Sequence, residues 1–201
     1  SPLIAGTDSR STVLRSTGKP LPGVEIRIDN PHPESGEGEI LVRGPMVMKG
    51  YYRDPERTSS VLSEEGWFRT GDLGVFDENG YLYIKGRVKN MILGPSGENI
   101  YPEEIEEAIN EHADVLESLV FDQGGQICAR VYLNYEELDH EFSSHQLSDS
   151  EVQEEINKRL EAIRRDVNSR LKLFSRINKI IEQKEPFEKT PTLKIKRYLY
   201  I

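Results

Sequence analysis

Apolar and polar residues alternate in three short stretches of the first half of the chain. "VEIRI" at 24–28, "EILVR" at 39–43 and "YLYIK" at 81–85 follow the short alternation of half-buried strands. Turn-forming segments separate them, among them "NPHPESGEG" and "DENG". Asp77–Gly80 predicts a tight turn joining Val75-Phe76 to Tyr81-Leu82. Residues 1–86 are therefore expected to form small antiparallel β structure.

From residue 87 the pattern mixes periods. "VKNMIL" at 88–93 predicts a strand, followed by the loop "GPSGENIY". A helix is predicted to begin at Pro102, because proline suits a first helical position and Glu103 and Glu104 favour the positive end of the helix dipole. Ile105, Ala108 and Ile109 give it one apolar face. "SLVFD" and "QICARVYLN" flank Gly124-Gly125, a hairpin signal. Over 151–172, Val152, Ile156, Leu160, Ile163, Val167 and Leu171 form one helical stripe, read as core packing. "RINKIIEQ" at 176–183 predicts a last strand. The predicted fold class is α+β: a small antiparallel β subdomain over 1–86, then a mixed α/β domain over 87–201 with a short sheet flanked by helices.

Composition narrows the function classes. The chain has 201 residues and a formal net charge of -9, the wrong sign for a general nucleic-acid binder. Cys128 is the single cysteine, so neither an internal disulfide nor a cysteine-based metal site can form, and its apolar run "ICARVYL" reads as core. No apolar stretch is long enough to be a transmembrane segment and none has the order of a signal peptide, which points to a cytoplasmic protein. Peripheral membrane association and oligomeric state leave no signal. The acidic segment 136–150, with His140 and His145, lacks compact metal-ligand spacing and reads as a solvated loop.

Four stretches carry candidate chemistry, and each alone has an ordinary structural reading. "GEILVRGPMVMKGYY" at 38–52 is a glycine-punctuated β segment. "GWFRTGDLG" at 66–74 holds a Thr-Gly-Asp turn whose carboxylate could accept from the vicinal hydroxyls of a ribose, or could cap its own turn; Trp67 and Phe68 read as core aromatics. "GRVKNMILGPSGENIYPEEIE" at 86–106 begins with Arg87, able to reach a phosphate or ribose, or simply a surface arginine. "KTPTLKIKR" at 189–197 holds three lysines and an arginine, ordinarily solvated charges.

In this order and spacing, the four stretches closely resemble the C-terminal part of the AMP-forming adenylating enzymes: acyl-CoA synthetases, adenylation domains of peptide synthetases, and luciferases. The resemblance covers essentially the whole chain, and "GENIYPEEIE" and "FEKTPTLKIKRYLY" read most like bacterial long-chain fatty acyl-CoA synthetases. "SPLIAG" resembles the tail of the family's Tyr-Gly-x-Thr-Glu motif. The resemblance implies a ligase that converts a fatty acid and ATP to acyl-adenylate and pyrophosphate, then lets CoA displace AMP. It implies that Asp72 binds the ribose hydroxyls of ATP and AMP, that Arg87 contacts ribose or phosphate, and that Lys89 is the hinge of domain alternation. Lys194 would be the catalytic lysine of adenylation and Gly97, in loop 94–99, would lie beside the CoA pantetheine. A fixed ammonium near the α-phosphate and the attacking carboxylate suits that step, and losing one such contact typically costs about 100- to 1000-fold in rate.

Three departures follow. Leu193 stands where the family has glycine before the lysine, which an extended backbone would tolerate but a positive φ would not favour. Leu93 stands where several relatives carry a lysine. The phosphate-binding loop, the glutamate for Mg²⁺ and the acid pocket are absent from this sequence. The chain is therefore expected to be a C-terminal fragment, inactive alone, comprising the last β subdomain of the large AMP-binding domain (1–86) and the mobile small domain (87–201). Alternatives are an acyl-AMP ligase that loads a carrier protein, and a nucleotide-binding or interaction module without catalysis.

Overall fold

The computed structural model describes residues 3–8, 10, 12–138 and 147–201. The chain divides into two compact units, Ser1–Asn90 and Met91–Ile201. His140 and His145 lie outside the described residues. The first residues of the acidic segment, 136–138, are helical rather than loop, because Leu138 is buried in the core of the second unit.

In the first unit β1 (Ala5–Gly6) pairs with β2 (Lys19–Pro20). A four-stranded antiparallel sheet then runs in chain order through β3 (Glu25–Asp29), β4 (Gly38–Arg43), β5 (Phe68–Phe76) and β6 (Leu82–Arg87). Val24, Ile40, Val42 and Leu82 form its core. The short helix α1 (Pro55–Val61), capped by the Asp54 carboxylate at the Arg57 N–H, lies between β4 and β5 in the chain. Trp67 does not join the core. The guanidinium groups of Arg27 and Arg43 each lie over its half-buried ring, 4.5 and 4.6 Å from the centroid, a cation–π arrangement. The segment 88–90 is not a strand: the Val88 N–H donates to Gly71 O, the Asn90 N–H donates to Arg87 O, and the chain turns.

The second unit opens with the hairpin β7 (Ile92–Leu93) and β8 (Asn99–Ile100), followed by α2 (Pro102–Asn110). β9 (Val115–Gln123) and β10 (Gln126–Leu133) form a hairpin whose two turn residues, Gly124 and Gly125, have φ 63° and 83°. α3 (Asp149–Arg170) crosses over to β11 (Lys179–Glu182), which pairs parallel to β10. The sheet order is β11-β10-β9.

Alternation along β9 and β10 separates two faces. Val120, Ile127, Ala129, Val131 and Leu133 pack with Ile105 and Ile109 of α2 and with Ile156, Leu160, Ile163 and Val167 of α3. Leu119, Phe121 and Cys128 pack with Phe187, and Ile195 and Tyr200 lean on them. The helices thus cover one face only, and the C-terminal tail covers the other.

One loop type occurs four times among the described residues. In 63–67, 77–81, 94–98 and 190–194 the N–H of the first residue donates to the carbonyl of the fifth, and the N–H of the fourth donates to the carbonyl of the first. The fourth residue is left-handed in each: Gly66 at 83°, Gly80 at 79°, Gly97 at 93° and Leu193 at 60°. This is the three-residue hairpin loop that ordinarily requires glycine at that position. Leu193 is the exception, so the extended backbone that would have tolerated it is not adopted. The loop is held by Thr190, whose Oγ1 accepts from the Lys194 N–H at 3.2 Å.

Two stability predictions follow from these contacts. Leu193 is 80% exposed, so replacing it loses little packing, while a Cβ in the left-handed region costs about 1–2 kcal/mol. Leu193→Gly should therefore raise stability by up to ~1 kcal/mol after glycine's own entropic cost; a lowered thermal midpoint by circular dichroism would remove the strain argument. On α3, hydrogen bonds from Arg164 hold the Glu161 carboxyl at about 2, below its ordinary 4.5, and Arg165 assists. Because the folded value is depressed, the stabilisation is present above the ordinary value and is lost as pH falls from 4.5 towards 2. Glu161→Gln should flatten that part of the melting-temperature profile, by the roughly 0.2–1 kcal/mol of a solvated pair rather than the full shift.

Candidate active site

In the first unit the Thr-Gly-Asp motif is not a turn but a bulge inside a nine-residue strand. Between the pairs Glu39↔Leu73 and Leu41↔Arg69, β4 contributes only Ile40 while β5 contributes Thr70, Gly71 and Asp72. Gly71 makes the excursion possible with φ 73°, and a Cβ there would meet nothing within 4 Å, so backbone conformation rather than crowding selects glycine. Thr70 repairs the interrupted ladder: its hydroxyl donates to Ile40 O at 2.8 Å and accepts from the Asp72 N–H at 3.0 Å. The Gly71 N–H donates to Glu39 Oε1 at 3.3 Å, and Glu39 is in turn paired with Arg69.

The bulge presents Asp72 beside Arg87. The two residues are direct cross-strand partners, and Arg87 Nη1 lies 3.0 Å from Asp72 Oδ1. Their side chains are 30% and 41% exposed, so a ligand can reach both. A carboxylate and a guanidinium held side by side offer acceptors for vicinal hydroxyls and donors for an anionic oxygen. Lys89 follows on the exposed turn closed by the Asn90 N–H on Arg87 O at 3.0 Å, next to the last residue of the first unit.

In the second unit Gly97 and Leu193 hold the same position in two loops of the same type. A Cβ on Gly97 would meet nothing within 4 Å, so its φ of 93° is the visible reason for glycine, and no close backbone approach is seen inside this unit. The loops continue with opposite charges, Glu98 and Lys194. Glu98 Oε2 turns inward to accept the Ser96 N–H at 3.1 Å. Lys194 is exposed, and among the described residues its ammonium has neither an ion-pair nor a hydrogen-bond partner.

The other cations of the cluster are all engaged. Lys189 lies 2.5 Å from Glu117 of β9, and Lys196 lies 3.0 Å from Glu188. Arg197 Nη1 lies 2.7 Å from Glu106 of α2, and its Nη2 donates to Val120 O. Glu106 Oε1 also accepts the Val120 N–H at 2.6 Å. Burial pushes the Glu106 carboxyl up, and Arg197 and the Val120 N–H pull against that shift. Sequence reading left Arg197 as a surface charge and did not single out Glu106; a glutamate next to Ile105 on an amphipathic helix carries no sign of being buried. Among the described residues no group of three or more His, Cys, Asp or Glu side chains is arranged to hold a metal ion. No helix of the described residues is long and apolar enough to cross a membrane.

The AMP-binding enzyme family model matches residues 2–52, and the AMP-binding enzyme C-terminal domain model matches residues 89–200. Lys89, Gly97 and Lys194 fall within the second match, while Asp72 and Arg87 lie between the two. The chain is 46% identical over 125 residues to a long-chain-fatty-acid–CoA ligase of Yersinia pestis, covering 60% of this chain and 22% of that protein. It is likewise 46% identical over 108 residues to a 2-succinylbenzoate–CoA ligase of Bacillus velezensis, covering 52% of this chain and 22% of that one. The chain thus matches about a fifth of the length of these curated relatives. O-succinylbenzoate coenzyme A synthetase of Bacillus subtilis, solved in complex with AMP, superposes with a TM-score of 0.74 at 28% identity, over 98% of this chain and 38% of that one. The fold is the α+β fold of those ligases, and the chain belongs to the AMP-binding enzyme family.

Proposed function

We propose that this chain is the C-terminal part of an ATP-dependent acyl-CoA synthetase, with Lys194 as its adenylation lysine. One observation carries the assignment. Of four cations within nine residues, three are fastened to carboxylates, while Lys194, on an ordered loop, has no partner for its ammonium among the described residues. A charge left unpaired beside three paired ones is suited to an anionic ligand. In the first half-reaction a carboxylate oxygen attacks the α-phosphorus of ATP and pyrophosphate leaves; in the second the CoA thiol attacks the acyl carbon and AMP leaves. An ammonium between the α-phosphate and the incoming carboxylate stabilises the charge that moves between them. Lysine suits this shifting target because it is a compact point charge.

The remaining assignments rest on this reading. Asp72 would accept the ribose hydroxyls and Arg87 would donate to ribose or phosphate. Their mutual ion pair fixes both side chains before nucleotide arrives. Lys89 would be the hinge, and the loop of Gly97 would serve the CoA step. The acyl group is assigned to the long-chain fatty acids, as in the Yersinia pestis relative; the succinylbenzoate ligase of equal identity names the competing acid. Mg²⁺ would be held chiefly by residues outside this chain. The enzyme is proposed to be cytoplasmic.

The test uses the full-length enzyme. Lys194→Ala should lower fatty-acid-dependent pyrophosphate exchange by about 100- to 1000-fold. Thioester formation from supplied acyl-adenylate should be largely spared. Equal losses in both half-reactions would reject the assignment, and a faster turnover of succinylbenzoate than of palmitate would reject the acyl class. The 201-residue chain alone should show no exchange above background.

A further inference from the structure

The lysine loop is a thin structure that depends on its anchors. Before it, Phe187 is buried on the outer face of the sheet, and Lys189 reaches Glu117. After it, the Tyr200 hydroxyl accepts the Glu188 N–H at 2.7 Å, and Arg130 Nε donates to Tyr200 O at 3.2 Å. These contacts fasten the tail to itself and to the sheet. Arg197 does something different. β9 is an edge strand, so the outward N–H and C=O of Val120 have no neighbouring strand. Glu106 takes the N–H and Arg197 takes the C=O, and the two side chains close the ring with their own ion pair. The pair is mostly buried, 14% exposed at Glu106 and 22% at Arg197, so its geometry is held without competition from water.

That ring links two loops. Glu106 stands on α2, which starts two residues beyond the β7–β8 hairpin that carries Gly97. Arg197 stands three residues beyond Lys194. Resting on the function proposed above, we infer that Arg197 is a positioning residue for adenylation. Through Glu106 and Val120 it sets the placement of Lys194 relative to the Gly97 hairpin, so that one rigid body carries both loops. α2 has its own apolar anchors in Ile105 and Ile109, so the Gly97 hairpin keeps its place when the ring is broken. Among the described residues the tail after Lys194 has no buried link to α2 other than Arg197. Disruption should therefore fall on the lysine step.

The experiment compares both half-reactions in the full-length enzyme for Arg197→Lys, for the double variant Glu106→Gln/Arg197→Gln, and for Lys194→Ala. The double variant removes both charges together, so no lone buried carboxylate is left to unfold the unit. It should lower kcat for pyrophosphate exchange about 10- to 100-fold, the effect of a small misplacement of a catalytic group, with KM for ATP little changed. Thioester formation from supplied acyl-adenylate should stay within about 3-fold of wild type, since α2 keeps its own anchors. Arg197→Lys, which keeps the charge but not the two-pronged contact, should fall between wild type and the double variant. Unchanged exchange in both Arg197 variants, with Lys194→Ala inactive, would overturn the inference and leave the proposed function standing. Equal loss of both half-reactions, or failure of both variants to fold, would make Arg197 a purely structural residue and also overturn it. Retained exchange in Lys194→Ala would instead remove the proposed function itself, and this inference with it.

Discussion

The sheet β11-β10-β9 of the second unit carries apolar side chains on both faces, and α2 and α3 cover only one of them. Leu119, Phe121 and Cys128 would face water if the tail did not lie over them, at a cost of about 25 cal/mol for each Å² of apolar surface exposed. Phe187 and Tyr200 meet edge to face at 4.9 Å across that surface and close the second layer. The tail is therefore part of the core, and the loop it carries inherits the rigidity of a packed layer. This is a way to hold a long, flexible lysine at the end of a chain without burying its charge. The stem is ordered by what lies on either side of it, and only the loop tip is exposed.

Charge pairing follows the same division. Lys189, Lys196 and Arg197 each meet a carboxylate, and the most buried of these pairs is the one that also satisfies a strand edge. Solvated pairs of the Lys196–Glu188 kind contribute little. Asp72 and Arg87 use a partly exposed pair differently. An ion pair this exposed is weak enough for a polar ligand to exchange with it, yet it keeps both side chains near the positions a ribose or phosphate would require. One device, the carboxylate–cation pair, thus serves as a fastener where buried and, in the function proposed above, as a preorganised receptor where open.

Local signals in the sequence were reliable where one local rule decides the outcome. Gly124-Gly125, Asp77–Gly80, the start of α2 at Pro102 and the stripe from Val152 to Leu171 were all readable from turn chemistry and spacing. The Thr-Gly-Asp motif was misread as a turn, because a glycine between polar residues signals the same local freedom whether it turns the chain or bulges a strand. The difference lies in the register against β4, a nonlocal fact. The same holds for 88–93, whose apolar residues suggest one strand: the hydrogen bond from Asn90 to Arg87 turns 88–90 aside, and only Ile92–Leu93 is strand. The identity of Lys194 as the candidate came from motif register. Its separation from Lys189, Lys196 and Arg197 came from Glu117, Glu188 and Glu106, partners between 8 and 91 residues away in sequence that no local pattern reveals.

Leu193 joins these threads. The loops at 94–98 and 190–194 share one hydrogen-bond frame, with glycine at the left-handed position in one and leucine in the other. Glycine at 97 leaves its loop many backbone states and an open flank where no atom lies within 4 Å of a built Cβ. Leucine at 193 restricts the backbone states of the chain, which reduces the entropy lost on ordering but holds the Cβ in a disfavoured region. With Thr190 bonded to the Lys194 N–H, the result is a loop with few conformations and some strain. In the proposed adenylation role, a lysine gains from few conformations, since each alternative placement dilutes the productive one. The strain is tolerable because it sits between two fastened segments, Phe187–Lys189 and Lys196–Tyr200, which hold the loop closed whether or not its own backbone prefers it.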